Sequence, residues 1–154
     1  MLVFQSREEL SQIEQKLLQA ATTARMDAYA PYSNFKVGAA LLLDNGELVT
    51  GNNQENASYP AGLCAERVAV FQAGSRFPGS VIQAIAVCVG PPKGTGDSPA
   101  APCGNCRQAL IEYEQRQGSP ISLLMQMENA AVYKCSSIAD ILPMAFNSSF
   151  LGDS

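Results

Sequence analysis

Histidine is absent from all 154 residues. Any metal site must therefore use sulfur or oxygen ligands, and a general base working near neutral pH is expected to be a carboxylate. Charge is scarce as well: Asp, Glu, Lys and Arg together make up 16% of the chain. The ten scattered Lys and Arg residues are outnumbered by fourteen Asp and Glu, for a net charge of −4. A duplex or tRNA partner ordinarily needs a basic face to neutralise phosphates, so the balance points to a small neutral substrate and no nucleic acid. No apolar run approaches membrane-spanning length, which argues against a membrane partner. The opening MLVFQSREELSQIEQKLL carries early acidic residues where a secretory segment would be apolar. Five cysteines, an odd number without secretory features, fit a reduced, cytoplasmic setting better than a disulfide scaffold.

Apolar residues are plentiful, at 47%, and the length suits one catalytic domain over residues 1–154. Ser6 and Glu9 have the form of a capping box, followed by Leu10, Ile13, Leu17, Ala20, Ala21 and Ala24 at helical spacing. That helix should stop before Ala30-Pro31. Residues 35–43 read as a strand, Asn45-Gly46 as a tight turn, and 47–50 as its antiparallel return. The amide-rich stretch 51–63 is loop-like. Residues 64–73 read as a helix ended by Gly74, and 81–89 as a buried strand. Gly90 to Pro102 is a Gly/Pro/Ser-rich connection, 104–117 a second helix, and 121–127 and 130–135 two further strands. Ser136 or Ser137 can cap a short last helix ending before Pro143. Helices interleaved with five strands predict an α/β domain in three layers, α/β/α, around a five-stranded mixed central sheet.

Two segments carry chemistry: Cys64-Ala65-Glu66-Arg67 and Pro102-Cys103-Gly104-Asn105-Cys106-Arg107-Gln108. Alone, Cys103-x-x-Cys106 fits a redox pair, half a structural zinc site, or two core cysteines. Cys64 adds a third sulfur at the start of another predicted helix, where unpaired N–H groups and the helix dipole stabilise a thiolate. If both helices begin side by side, Cys64, Cys103 and Cys106 make a three-ligand site with an open fourth position, as catalytic zinc requires. Glu66, two residues after the first ligand, is then spaced to act as a general acid/base without ligating. Three thiolates make a zinc centre electron-rich, and Arg67, with Arg107 behind it, is placed to withdraw that charge. The plainer alternatives are buried free cysteines and a solvated Glu66/Arg67 pair. Cys88 and Cys135 read as core.

The C-A-E and P-C-x-x-C segments resemble the signature of the zinc-dependent nucleobase deaminases, and the chain as a whole resembles the small homotetrameric cytidine deaminases. Further residues carry the resemblance: Pro31-Tyr32-Ser33-Asn34-Phe35 with Val37-Gly38-Ala39-Ala40, Asn53-x-Glu55-Asn56-Ala57, and Leu142-Pro143-x-Ala145-Phe146. It implies a Zn²⁺ cofactor and hydrolytic deamination of cytidine and 2′-deoxycytidine to the uridines with release of ammonia, a pyrimidine-salvage reaction. Asn53 and Glu55 match the pair that binds the sugar hydroxyls, and Phe35 the aromatic near the base. The Ala65 backbone matches the group that orients the pyrimidine. Gln108 belongs to the shell behind the ligands. Phe146 matches an aromatic that reaches a neighbouring subunit's site, so a homotetramer with shared active sites is implied. The Gly90–Pro102 connection is longer than the family's usual one.

Overall fold

The computed structural model describes residues 1–90, 99 and 101–151. Residues 91–98 and 100 of the long Gly90–Pro102 connection lie outside them. In chain order the elements are β1 (Leu2–Phe4), α1 (Gln12–Met26), β2 (Val37–Leu43), β3 (Leu48–Asn52), α2 (Ala65–Arg76), β4 (Ile82–Val89), α3 (Gly104–Gln117), β5 (Ser122–Met127) and β6 (Val132–Cys135), with short 3₁₀ turns between them. The strands form one mixed sheet in the order β1-β6-β5-β4-β2-β3, in which only β4 and β5 run parallel.

Alternation along the central strands sorts side chains to two faces. Ala39, Leu41 and Leu43 of β2 and Ile85 and Val87 of β4 pack with Ala65, Ala69, Val70, Leu110 and Ile111 of α2 and α3. Ala40 and Leu42, with Ala84, Ala86 and Cys88, face Leu17, Leu18 and Ala21 of α1. The small residues on this second face let α1 lie close to the sheet. Helices thus cover both sides, and the α/β/α layering expected from the element order is present. No helix among the described residues is long and apolar enough to cross a membrane.

The sheet has six strands where five were expected. Leu2–Phe4 pairs antiparallel with β6, from Leu2 opposite Lys134 to Phe4 opposite Val132. Three residues are too few to show a period, so the strand exists by pairing and not by pattern. The Ser6/Glu9 box caps only the 3₁₀ turn Arg7–Glu9, and a second box, Ser11/Glu14, starts α1. Gly74 does not end α2, which continues to Arg76. A Cβ at Gly74 would stand 2.6 Å from the Tyr113 hydroxyl, so the glycine serves helix packing. The short helix expected before Pro143 is the 3₁₀ turn Ile138–Ile141, capped by Ser137, and a further 3₁₀ turn, Ser148–Phe150, follows it.

Gly51 of β3 connects this architecture to the cysteines. A Cβ there would lie 2.6 Å from the Ala65 carbonyl oxygen and 2.5 Å from the Ala69 nitrogen, both backbone atoms of α2. The first turn of α2 can rest on the sheet only because that position has no side chain. Gly51→Ala is expected to push α2 outward and cost about 1–3 kcal/mol, as overpacking does. Thermal unfolding measures this, and an unchanged Tm would contradict it.

Candidate metal centre and substrate cradle

Two ligand positions are set by helix starts. Cys64 is the N-cap of α2 and Cys103 the N-cap of α3, both with extended backbone, and Cys106 follows in the first turn of α3. The sulfurs therefore gather where two sets of unpaired N–H groups and two helix dipoles point. Cys64 Sγ lies 3.7 Å from Cys103 Sγ, which lies 3.5 Å from Cys106 Sγ. All three ligand atoms fall within 4.8 Å of one another. Those separations exclude disulfides, whose sulfurs sit about 2.05 Å apart. A tetrahedral zinc with bonds of about 2.3 Å has sulfur–sulfur edges of about 3.8 Å, so the spacing fits that ion.

Glu66 supplies a second sign of fit. It is only 4% exposed, and its Oε2 is buried without a hydrogen-bond partner among the described residues. Burial, reinforced by the charge on Cys64, raises its pKa above the usual carboxylate range. A buried carboxylate oxygen left unpaired is costly in an ordinary core and useful beside a reacting ligand. Ala65, between ligand and glutamate, is fully buried.

In the metal-free protein the thiols are not equivalent. The hydrogen bond from Cys106 holds the Cys64 thiol far below its ordinary value, with Cys103 and Arg67 adding to the effect and burial opposing it. Cys106 is raised in turn, by the thiolate it serves, by burial and by Glu66. The pair thus shares one proton, which an arriving metal would displace. Burial works against the Arg67 charge, but Cys64 and Cys106 outweigh it and hold the guanidinium above its ordinary pKa. Arg67 Nε is buried without a partner among the described residues, and Nη2 donates to the Gly62 carbonyl at 3.5 Å. Arg107 is engaged elsewhere: Nε donates to the Pro102 carbonyl at 2.7 Å and Nη1 to that of Ile141 at 2.9 Å.

The amide-rich loop is tied to the first ligand by backbone. Gln54 and Leu63 exchange two N–H···O bonds of 2.9 Å, so Asn53 and Glu55 flank a bridge that ends one residue before Cys64. Asn53 accepts from Val37 N at 2.8 Å and donates to the Phe35 carbonyl at 2.9 Å. Glu55 accepts from Tyr32 N at 2.9 Å, from Ser33 N at 3.2 Å and from the Ser33 hydroxyl. That Ser33 bond, more than any other contact, holds the Glu55 pKa down. Ser33 also accepts from Phe35 N at 2.9 Å, and Asn34 turns the chain at φ 54°, a left-handed conformation that asparagine tolerates. Phe35, 39% exposed, is thereby held beside Asn53.

Phe146 belongs to a different segment. Gln108 Nε2 donates to its carbonyl at 3.0 Å, anchoring it to α3, while its ring is 56% exposed and stacks on Phe150 at 5.7 Å. The roles of Ser33, of the Tyr32 N–H and of Arg107 as braces were not read from the sequence. Only the Ser33-Asn34 turn chemistry gave a signal for them. Cys88 and Cys135 are buried, as core cysteines should be. A cavity of about 460 Å³ lined by Arg7, Thr22, Arg25 and Cys88 lies on the α1 face of the sheet. The thiols converge at the helix starts of the other face, and the chemistry is assigned there because, among the described residues, only that group can hold a metal.

The unequal thiols give a direct test. With zinc removed, Cys64 is expected to be alkylated by iodoacetamide at neutral pH, well ahead of the buried and raised Cys88 and Cys106. Mass spectrometry of the labelled peptides reads the order, and Cys106 reacting first would contradict the proton placement.

A family model described as the cytidine and deoxycytidylate deaminase zinc-binding region matches residues 11–118. A cytidine deaminase of Sporosarcina psychrophila is 38% identical over 133 residues, covering 86% of this chain and 90% of that protein. One from Halalkalibacterium halodurans is 47% identical over 98 residues, covering 64% of this chain and 70% of its own length. Among solved structures, a cytidine deaminase from Burkholderia pseudomallei superposes with a TM-score of 0.75 at 42% identity, covering 89% of this chain and all of that one. Sequence match, shared fold and the three-cysteine cluster agree, and the chain belongs to the cytidine and deoxycytidylate deaminase zinc-binding family.

Proposed function

We propose that this chain is a zinc-dependent cytidine deaminase that converts cytidine and 2′-deoxycytidine to the uridines and releases ammonia in pyrimidine salvage. The observation that carries this reading is the buried, unpaired Oε2 of Glu66 beside three sulfurs at zinc-site spacing. Cys64, Cys103 and Cys106 would hold the ion, which would supply Lewis-acid activation of a water nucleophile near neutral pH. Glu66 takes a proton at its carboxylate and delivers it to ring N3. The same carboxylate then takes the remaining proton of that water, from the hydroxyl now on C4, and passes it to the amino group, which leaves as ammonia as the C4–N bond breaks. A raised pKa suits that cycle, since the group must both hold and release a proton near neutrality. Arg67 offsets the negative charge of the thiolates, as its electrostatic coupling to Cys64 and Cys106 supports.

Asn53 and Glu55 are the sugar-binding pair in this reading. Each already spends hydrogen bonds on the 32–37 turn, which holds the free lone pairs and the second amide N–H in place before substrate arrives. Phe35 packs near the base and the Ala65 backbone orients the pyrimidine. Phe146 is exposed on an anchored segment, which supports its use by a neighbouring subunit in a homotetramer. Free thiols and the acidic balance favour one catalytic domain working in the cytoplasm on a nucleoside, without nucleic acid.

Replacing Glu66 tests the assignment through both activity and stability. Glu66→Gln is expected to retain zinc while ammonia release from cytidine falls about 10²- to 10⁴-fold, the usual worth of a positioned acid/base. Because burial raises the folded-state pKa of Glu66, the folded state holds more protons between the unfolded and folded values. Stability of the metal-free protein therefore falls as pH rises through that window. The uncharged amide escapes this loss, so metal-free Glu66→Gln should melt higher than the parent at neutral pH. Full activity in the zinc-loaded variant would overturn the role of Glu66, and faster turnover of cytosine or CMP than of cytidine would overturn that of Asn53 and Glu55.

A further inference from the structure

An N-cap residue sits outside the helical hydrogen-bond pattern, so the position of its side chain depends on the peptide that precedes it. Cys103 is such a residue, with φ −66° and ψ 168°. The Pro102 carbonyl, whose plane sets the entry to Cys103, accepts from Arg107 Nε at 2.7 Å. The same guanidinium reaches the opposite way, with Nη1 donating to the Ile141 carbonyl at 2.9 Å. Ile141 closes the 3₁₀ turn that leads through Leu142, Pro143 and Met144 to Phe146. Met144 takes a left-handed φ of 60°, a conformation that a side chain such as methionine's holds only when its flanks are fixed. Those flanks are fixed by consecutive residues of α3: Arg107 holds Ile141, and Gln108 holds Phe146.

We infer that Arg107 is a positioning residue that braces the Cys103-bearing peptide and the 141–146 segment from one side chain, setting both the geometry of the three sulfurs and the place of Phe146. The inference rests on the zinc-deaminase reading, and it differs from a role in charge compensation. A guanidinium is a planar fork whose Nε and Nη1 can meet two carbonyls at once. Lysine keeps the charge but has one nitrogen and cannot bridge them. A charge role is therefore rescued by lysine, whereas a brace is not.

The experiment uses the zinc-loaded full chain and compares Arg107→Lys, Arg107→Gln, Gln108→Ala and Glu114→Gln. Zinc transfer to a chelator, KM and kcat for cytidine, and Tm are measured for each. Glu114 is the structural control. Its Oε2 accepts from Ile121 N and Ile138 N at 2.8 Å, tying α3 to the same region without reaching a ligand peptide. Both Arg107 variants are expected to speed zinc loss about 10- to 100-fold, as when a group orienting a ligand is removed, and to raise KM. Gln108→Ala should raise KM alone, and Glu114→Gln should lower Tm with zinc loss and KM unchanged. Zinc retention restored by lysine, or Arg107 variants that lower only Tm, would overturn the brace. A parent protein that neither holds zinc nor releases ammonia would instead defeat the underlying deaminase reading, and that result is separable because it appears before any substitution.

Discussion

Three sulfurs within 4.8 Å of one another, with Cys106 buried and Cys64 half-buried, cannot all be thiolates without nearby positive charge. The rest of the structure answers that constraint. Two helices begin at the cluster, so their N-terminal dipoles face it. Arg67 stands beside Cys64 and Cys106. Between the sulfurs themselves, the hydrogen bond from Cys106 holds Cys64 below the ordinary thiol range and Cys106 above it. A dication would supply the positive charge that three adjacent thiolates call for.

The sheet decides whether the helices can meet. Gly51 lets the start of α2 lie directly on β3, and β4, which precedes α3 in the chain, lies at the centre of the sheet with β2 between it and β3. The Gln54–Leu63 bridge then draws the amide-rich loop to the edge of the cluster. Ser33 and the Tyr32 N–H fix Glu55, and Asn53 fixes the backbone at Phe35 and Val37. Cradle and metal centre are therefore one hydrogen-bonded unit. In the proposed sugar-binding role, order in the loop before binding would reduce what the substrate must organise.

Much of this was legible in the residues themselves. The lack of histidine limited the metal ligands to sulfur or oxygen, and helix-start patterns placed Cys64, Cys103 and Cys106 before the geometry was known. Near-continuous apolar runs located the central strands because both faces of the sheet are buried. What was missed depended on partners distant in sequence. Leu2–Phe4 became a strand only through β6, and Gly74 was read as a helix end although its small size serves Tyr113. The double use of Arg107 needed the fold, since nothing local in the sequence brings Ile141 next to Pro102. The proposed sugar- and base-binding roles rest on family resemblance, because an amide-rich loop has the same composition whether it binds a ribose or merely turns.

The central claim, that three cysteines of this chain hold a zinc whose fourth position is open to a light-atom ligand, is tested most directly by X-ray absorption at the zinc edge. The account predicts three sulfur neighbours at about 2.3 Å and one oxygen or nitrogen neighbour near 2.0 Å. A four-sulfur shell, or a first shell without sulfur, would contradict it.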